Sequence, residues 1–426
     1  MKQYVDLHMH SKYARACSPQ LDLPNIEKYA RIKGLTVVGT GDISHPKWNE
    51  EIRKELIEDG TGILKSKTGF NFVLQGEISL MYSQGGKGRK IHYVYLVPDL
   101  DTLKQVNSAL IKKGRLDYDG RPIFGMSSIE FVDMMIDISK DIEIIAAHCW
   151  TPWFGLFGSM SGFNSVEECF GERAKYIHAL ETGLSSDPMM NWRISSLDKY
   201  SLVSFSDSHS YWPWRMGREA TIMDIKLTYK ELINAIRTKK GLVGTIEVDP
   251  NFGKYHFTGH RNCNVSLDPN SSKKFKDICP NCGKKMTVGV LQRVEELADR
   301  PEGTILKDAV PFYSLIPLSE LISVVLRKSV SSKEVWQVFY ALVNGKTEIE
   351  VLLETPYEEL RSRSNEKLAE SIIKNREGKI KIKPGYDGVY GIPIIDEAEE
   401  QEYVKETEKI ISKYKQKQKG LQEFIS

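Results

Sequence analysis

Short apolar runs recur through the first 250 residues, and each one ends at a polar side chain able to bind a metal. Residues 4–7 run into His8 and His10, and residues 35–38 pass through Gly39-Thr40-Gly41 into Asp42 and His45. Residues 72–74 lead to Glu77, residues 142–147 to His148, and residues 202–205 to Asp207 and His209. Helical patterns lie between them, over 25–33 and 128–138. A third is sharply marked: Thr228 and Glu231 have capping-box spacing, Leu232, Ile233 and Ile236 form an apolar stripe, and Gly241 is a stop signal. Strands alternating with helices predict an α/β layer or barrel. In parallel strands the residues at the C-terminal ends face the loops, where barrel enzymes keep their chemistry.

The texture changes near Asp249-Pro250. Residues 250–285 are polar, basic and cysteine-bearing, and residues 290–378 read mainly as helix. Ser331 with Glu334 opens one helix over 335–343, and Thr355-Pro356 with Glu358 opens another that carries a Leu368/Ile372 stripe and stops at Gly378. A β/turn element follows over 379–395, then a tail that is acidic over 396–408 and lysine-rich over 409–419. The expected organisation is a barrel over 1–249, a small module over 250–300, a helical domain over 301–395 and a charged tail over 396–426.

The chain has 426 residues, 41% hydrophobic and 27% charged, enough for two or three domains with real cores. That composition excludes collagen-like and fully disordered chains, and no apolar run approaches the roughly 20 residues a membrane helix needs. Histidine already stands at position 8, leaving no room for a signal peptide's apolar segment, so a cytoplasmic setting is expected. A net charge of +2 predicts no polyanion partner by itself. The cysteines are too few for a disulfide framework. An ATP-driven motor is disfavoured, because no Gly-x-x-x-x-Gly-Lys-Ser/Thr loop occurs.

His8-Met9-His10 places two imidazoles on one face of a strand, and Asp207-Ser208-His209 repeats the spacing with an acid. Asp42, His45, Glu77, His92, His148 and, less clearly, His178 follow other apolar runs, which points to a multinuclear metal site. Imidazoles with carboxylates suit Zn²⁺, Mn²⁺ or Fe²⁺, whereas Mg²⁺ prefers oxygen ligands. A shared carboxylate such as Glu77 could bridge two ions, the arrangement that serves phosphoester hydrolysis.

The segments Asp6-Leu7-His8-Met9-His10-Ser11, Gly39-Thr40-Gly41-Asp42, Gln75-Gly76-Glu77, His148 and Ser206-Asp207-Ser208-His209 resemble the polymerase-and-histidinol-phosphatase (PHP) metallo-phosphoesterases. The resemblance implies a distorted (β/α)₇ barrel with two or three divalent ions (Zn²⁺, Mn²⁺ or Mg²⁺). It assigns His8, His10, Glu77 and Asp207 to a first ion, Glu77, His92 and His148 to a second, and His209 with Asp42 or His45 to a third. The family often supplies another histidine shortly after His-x-His; residues 11–17 hold none, and Arg15 stands there instead.

Cys279-Pro280-Asn281-Cys282-Gly283 has zinc-knuckle spacing, and His260 and Cys263 offer two further ligands for one structural Zn²⁺, with His256 an alternative. The runs 259–263, 279–284, 288–300, 179–188 and 384–388 together resemble the endonuclease Q branch of the PHP family, which acts in archaea. That likeness implies a DNA repair endonuclease that cuts 5′ to hypoxanthine, uracil, xanthine or an abasic site and leaves a 3′-hydroxyl and a 5′-phosphate. Arg15 or a nearby lysine would neutralise a phosphate oxygen.

An altered base must be unstacked to be inspected, which calls for aromatic walls. Trp150, Trp153, Phe154 and Phe157 follow His148, Trp212 and Trp214 follow His209, and Asn191 and Arg193 could add a polar edge or a phosphate clamp. Lys273, Lys274 and Lys276 could touch phosphates. Gln418, Leu421, Phe424 and Ile425 have the shape of a peptide for the sliding clamp (PCNA) at an accessible terminus. A monomer bound to damaged DNA near the nucleoid is the expected setting. A small-molecule phosphatase and a non-catalytic DNA scaffold are the rival readings.

Overall fold

The computed structural model of the chain describes residues 2–395, so the clamp-peptide candidates Gln418, Leu421, Phe424 and Ile425 lie outside the described residues. The barrel is built from two sheets. In the first, the Lys2–Asp6 strand lies between Val37–Gly39, to which it is parallel, and Ala220–Asp224, to which it is antiparallel. The second runs Ser201–Val203, Ala179–Glu181, Glu143–Ala146, Lys87–Leu96, Gln75–Gln84 and Ile123–Phe124. The chain passes from one sheet to the other at Leu74: Thr40 N bonds Val73 O on one side and Val97 N bonds Leu74 O on the other. The opposite seam closes where His10 N bonds Ser208 O (3.0 Å) and Ser208 N bonds His8 O (3.1 Å). Val5, Val37 and Val73 of the first sheet share one buried cluster with Val94, Ile145 and Val203 of the second and with Leu232, Ile233 and Ile236 of the Tyr229–Thr238 helix.

The barrel departs from the parallel pattern expected of it. Gln75–Gln84 and Lys87–Leu96 form an antiparallel hairpin, turned by Gly85 and Gly86 at φ 61° and 73°, a conformation glycine adopts without cost. Glu77 and His92 therefore sit inside strands, with Glu77 opposite Val94 and His92 opposite Ser79.

Local capping explains the helix boundaries. The 25–33 pattern starts earlier, at Leu23, because Asp22 accepts from Asn25 N and Pro24 fits the first turn. Ser127 caps Ser128–Ile138, and Thr228 caps Tyr229–Thr238, which ends at Lys239 in the left-handed region ahead of Gly241. In the C-terminal part Ser332, not Ser331, is the cap of Lys333–Leu342. The helix expected after Pro356 is two, Tyr357–Arg363 and Glu366–Arg376, the second capped by Asn365. The unforeseen strand is Phe312–Ser314, which extends the first barrel sheet parallel to Leu242–Glu247; the β/turn element expected over 379–395 is a strand pair, Lys381–Lys383 with Ile392–Ile394. Between those two strands, Gly385 N bonds Asn251 O and Phe257 N bonds Gly385 O, so the 384–388 motif is a seam against the start of the cysteine module. Among the described residues no helix is long and apolar enough to cross a membrane.

Candidate metal centres and the cleft above them

The hydrogen bonds at the His8–Ser208 seam carry His8 and His10 out of their strand side by side. Their ligand atoms gather with those of Glu77 and Asp207 within 4.8 Å of one another, and Glu77, His92 and His148 form a second such group. Glu77 belongs to both. Its Oε2 lies 3.1 Å from His10 Nε2 and 3.5 Å from His8 Nε2, and its Oε1 lies 2.8 Å from His92 Nδ1 and 3.5 Å from His148 Nε2. His8 Nε2, His10 Nε2, Glu77 Oε1 and Asp207 Oδ1 are buried and, among the described residues, have no hydrogen-bond partner. Buried polar atoms are normally paired, so the three orphans His8 Nε2, His10 Nε2 and Asp207 Oδ1, gathered beside Glu77 Oε2, fit a cation that takes all of them as ligands.

Outer groups aim these ligands. Glu181 lies 2.8 Å from His8 Nδ1 and also accepts from His148 N, Asp42 lies 2.9 Å from His10 Nδ1, and Thr151 Oγ1 lies 3.0 Å from His148 Nδ1. Three residues here adopt positive φ without being glycine: Asp42 at 45°, His148 at 30° and Asp207 at 46°. Such strain persists only where surrounding structure imposes it. Burial works against charge on His8, yet Glu181, Asp207 and Glu77 hold its imidazole well above the usual value. Burial likewise opposes charge on Glu77, which Arg121, then His92 and His8, nevertheless hold well below the carboxylate range. Burial alone dominates at His92, whose pKa falls to about 3. The protein thus concentrates carboxylate charge where protons and divalent ions compete for the same nitrogens.

Several expected site residues stand elsewhere. Asp42 spends its second oxygen on Ser11 N and Oγ, both at 2.6 Å, and so buttresses His10 from behind instead of facing a third ion. His45 stacks on Tyr13 with ring centroids 4.4 Å apart. His209 packs on His10 at 4.2 Å, outside both ligand groups. His178 pairs with Glu143, away from the centres. Arg15 is 75% exposed and pairs with Asp119 at 3.3 Å. The guanidinium at the centre is that of Arg121, 2.9 Å from Glu77 Oε2. Gly120 makes its approach possible, since a Cβ there would lie 2.3 Å from the Asp42 carboxyl carbon. The tripeptide Asp119-Gly120-Arg121 was the sequence signal for it.

The centres open into a cleft of about 760 Å³ lined by Arg121, Arg215, Arg218 and Lys254 and by Trp153, Phe154, Tyr255 and Tyr390. Trp150 and Phe157 do not line it. They are buried, 4.8 Å apart, and Trp150 Nε1 donates to Asn191 Oδ1, so Asn191 serves packing as well. Arg193 uses its carbonyl to accept from Asp299 N and Arg300 N and stays out of the cleft. Trp212 and Trp214 stack on each other and pack at a tilt against Trp336, joining the barrel to the helical region. Tyr390 was missed because it arrives from the C-terminal hairpin, within cation–π reach of Lys254 at 4.6 Å and Arg215 at 5.4 Å.

In the cysteine module the ligand atoms of His260, Cys263, Cys279 and Cys282 gather within 4.8 Å of one another, the donor set of a closed structural zinc site. The backbone N–H of Lys284 helps lower the Cys282 thiol's pKa. His256 is not part of this group: it is buried against Phe257, and burial pushes its imidazole down to about 4. Lys273, Lys274 and Lys276 are exposed on the module's surface, with Lys273 3.5 Å from Glu295.

Two further acids, Glu219 and Glu247, are fully buried, with Glu219 Oε2 and Glu247 Oε1 unpartnered among the described residues. Burial, then the charge of Glu247, raises the Glu219 carboxyl; burial, with Asp187 adding to it, raises Glu247. A carboxyl raised in the folded state holds its proton more tightly there than in the unfolded chain. Its stabilising contribution is present at acidic pH and is lost as pH climbs from the ordinary carboxylate value to the raised one. Glu247→Gln is expected to stabilise the fold by about 1–3 kcal/mol at pH 8 and hardly at all at pH 5. Denaturant unfolding at the two pH values checks this, and an unchanged pH slope would refute it.

Comparison with known proteins places this geometry. Residues 317–379 match the family model described as the MJ0043 C-terminal domain. An uncharacterised protein of Methanocaldococcus jannaschii is 34% identical over 293 residues, which cover 66% of this chain; the chain spans about a third of that relative's length, 35%. The crystal structure of a lesion-specific endonuclease from Pyrococcus furiosus, PfuEndoQ, is similar at TM-score 0.82 and 30% identity, covering 92% of this chain and 95% of that one. A structure of endonuclease Q with a 27-mer duplex bearing an abasic lesion at the active site is similar at TM-score 0.84 and 31% identity, covering 93% and 98%.

Proposed function

Because this chain belongs to the endonuclease Q family of PHP metallo-phosphoesterases, we propose that it is a metal-dependent DNA repair endonuclease. In this reading it cuts the phosphodiester 5′ to hypoxanthine, uracil, xanthine or an abasic site and leaves a 3′-hydroxyl and a 5′-phosphate. The observation that carries the reading is Glu77, shared by two ligand groups at the floor of a cationic, aromatic-walled cleft. Divalent ions held by these groups (Zn²⁺ or Mn²⁺ by donor type, Mg²⁺ as the oxygen-preferring alternative) would supply Lewis-acid charge and an activated water. Arg121, anchored by Glu77, is placed to neutralise a non-bridging phosphate oxygen, the role expected of Arg15. Arg215 and Lys254 offer cations to flanking phosphates. Trp153, Phe154, Tyr255 and Tyr390 offer ring faces to an unstacked base.

Residues 1–249 would be the catalytic barrel, 250–300 the zinc module and 301–395 the mainly helical part. Lys273, Lys274 and Lys276 would meet phosphates beyond the cleft. The terminal peptide Gln418, Leu421, Phe424 and Ile425 would tether a monomer to a sliding clamp, in a cytoplasmic, nucleoid-associated setting.

End-labelled duplexes with one altered base each, offered with Mn²⁺, Zn²⁺ or Mg²⁺ and with or without a sliding clamp, test the reading. The expected product is a single nick 5′ to the lesion whose 3′ end a polymerase extends, abolished by chelation and enhanced by the clamp. Phosphomonoester turnover without DNA cutting would identify a small-molecule phosphatase instead. Lesion binding without hydrolysis under every ion would identify a scaffold.

A further inference from the structure

The loop between His148 and the Val166–Phe170 helix supplies one ligand candidate and two aromatic walls of the cleft. Phe154 sits 4.3 Å from the His92 ring, and its carbonyl accepts from His92 N. Part of this shape is internal to the loop, where Phe157 N bonds Cys149 O and Phe163 N bonds Leu156 O, both at 2.7 Å. Gly155, Gly158 and Gly162 have no room for a Cβ, the nearest backbone atoms lying at 2.5, 2.3 and 2.3 Å. Its outward carbonyls are satisfied from elsewhere. Arg293 Nε donates to Phe157 O (3.0 Å), and Arg293 Nη2 donates to Phe163 O (3.2 Å) and to Asn164 Oδ1 (2.7 Å). Ser159 Oγ donates to Val288 O (3.0 Å).

Arg293 lies on the Val290–Leu297 helix, which follows the zinc knuckle directly. The neighbouring residue, Gln292, is gripped from both halves of that module. Thr258 Oγ1 donates to Gln292 Oε1 at 2.8 Å, and Gln292 Nε2 donates to Asp277 Oδ1 at 3.0 Å. Thr258 is two residues before His260, and Asp277 two before Cys279, so each grip is set by a zinc-ligand candidate. Thr258 Oγ1 also accepts from Gly289 N, where a side chain would lie 2.3 Å from the Phe257 carbonyl carbon. The helix can therefore enter only in this register.

We propose that the cysteine module is a positioning element for the cleft: through Thr258 and Asp277 it orients Gln292, and through Arg293 it fixes the loop that sets Trp153 and Phe154 beside His92 and His148. Arg293 is a positioning residue. It touches no metal ligand and lies outside the cleft lining. Its planar fork spans two carbonyls and an amide oxygen at once, which one ammonium group cannot do.

The test uses the full, zinc-loaded chain with Arg293→Ala, Arg293→Lys and Gln292→Ala. Amide exchange within 151–164 is expected to accelerate roughly tenfold or more in Arg293→Ala, less in Arg293→Lys, with strands 2–6 and 242–247 unchanged. KM for lesion duplexes should rise by a similar factor, while kcat for a small chromogenic phosphodiester stays within about twofold. Unchanged exchange in 151–164, or an increase spread equally over the barrel strands, overturns the proposal. The duplex measurement rests on the function proposed above, whereas the exchange measurement does not. A wild-type chain that cuts no DNA would thus sink that function and leave this inference to be decided by exchange alone.

Discussion

Glu77→Gln is expected to weaken ion binding at both barrel groups at once and to leave any ion held by the cysteine module in place. The substitution keeps the side chain's shape and removes the one charge that faces His8 and His10 through Oε2 and His92 through Oε1. An amide nitrogen cannot ligate a cation, so whichever way the amide turns, one group loses its carboxylate oxygen. Lost Lewis-acid stabilisation is worth several kcal/mol, and at about 1.4 kcal/mol per decade the rate should fall roughly 10³-fold or more. The fold should survive, because Arg121, 27% exposed, can turn into the cleft once its partner is neutral. Elemental analysis beside circular dichroism checks this: the barrel ions fall well below wild-type content, any ion of the cysteine module remains and the spectrum is unchanged. A variant that keeps its barrel ions and its rate would refute the shared-ligand role.

Glu348→Ala is expected to destabilise the protein by about 3–5 kcal/mol, the cost of leaving a buried partner charge uncompensated. That partner is Lys33, 3% exposed, whose Nζ lies 2.8 Å from Glu348 Oε1 and donates to Pro213 O at 2.9 Å. Glu348 Oε1 also accepts from Leu318 N, so one oxygen ties a barrel helix to the start of the C-terminal helices. Removing the charge from one side alone strands a buried ammonium whose remaining hydrogen bond is to Pro213 O. Removing it from both sides leaves no such debt: Lys33→Met with Glu348→Met should lie near wild type, since buried pairs replaced by apolar groups are often neutral. Denaturant unfolding of Lys33→Met, Glu348→Met and the double closes the cycle. A single variant within about 1 kcal/mol of wild type would show that the seam is wet or slack.

The ligand candidates were legible because metal chemistry leaves a local mark. His8-Met9-His10 and Asp207-Ser208-His209 are spaced to face one way from a strand, and each follows an apolar run. Four cysteine and histidine ligand candidates within 23 residues, from His260 to Cys282, are legible for the same reason. The cap at Thr228 was legible because its side chain bonds its own turn. The reciprocal capping box at Thr347 and Glu350 was equally local and was overlooked.

What went astray depended on distance along the chain. Trp150 and Trp153 stand three residues apart and look alike in sequence, yet one bonds Asn191 in the core and the other lines the cleft. Arg15 follows the first ligand pair closely, but Arg121 reaches Glu77 because Gly120 lets its loop close over Asp42. Asp42 reads as a ligand until His10 and Ser11 are seen to consume both of its oxygens. By itself the amino-acid order determined which donor atoms exist, which strands and turns carry them and which ion chemistry they suit. Only the closed barrel decided which arginine, which ring and which buffering acid stand beside them, because those contacts are made by packing across gaps of 30 to more than 100 residues, where steric fit rather than spacing selects the partner.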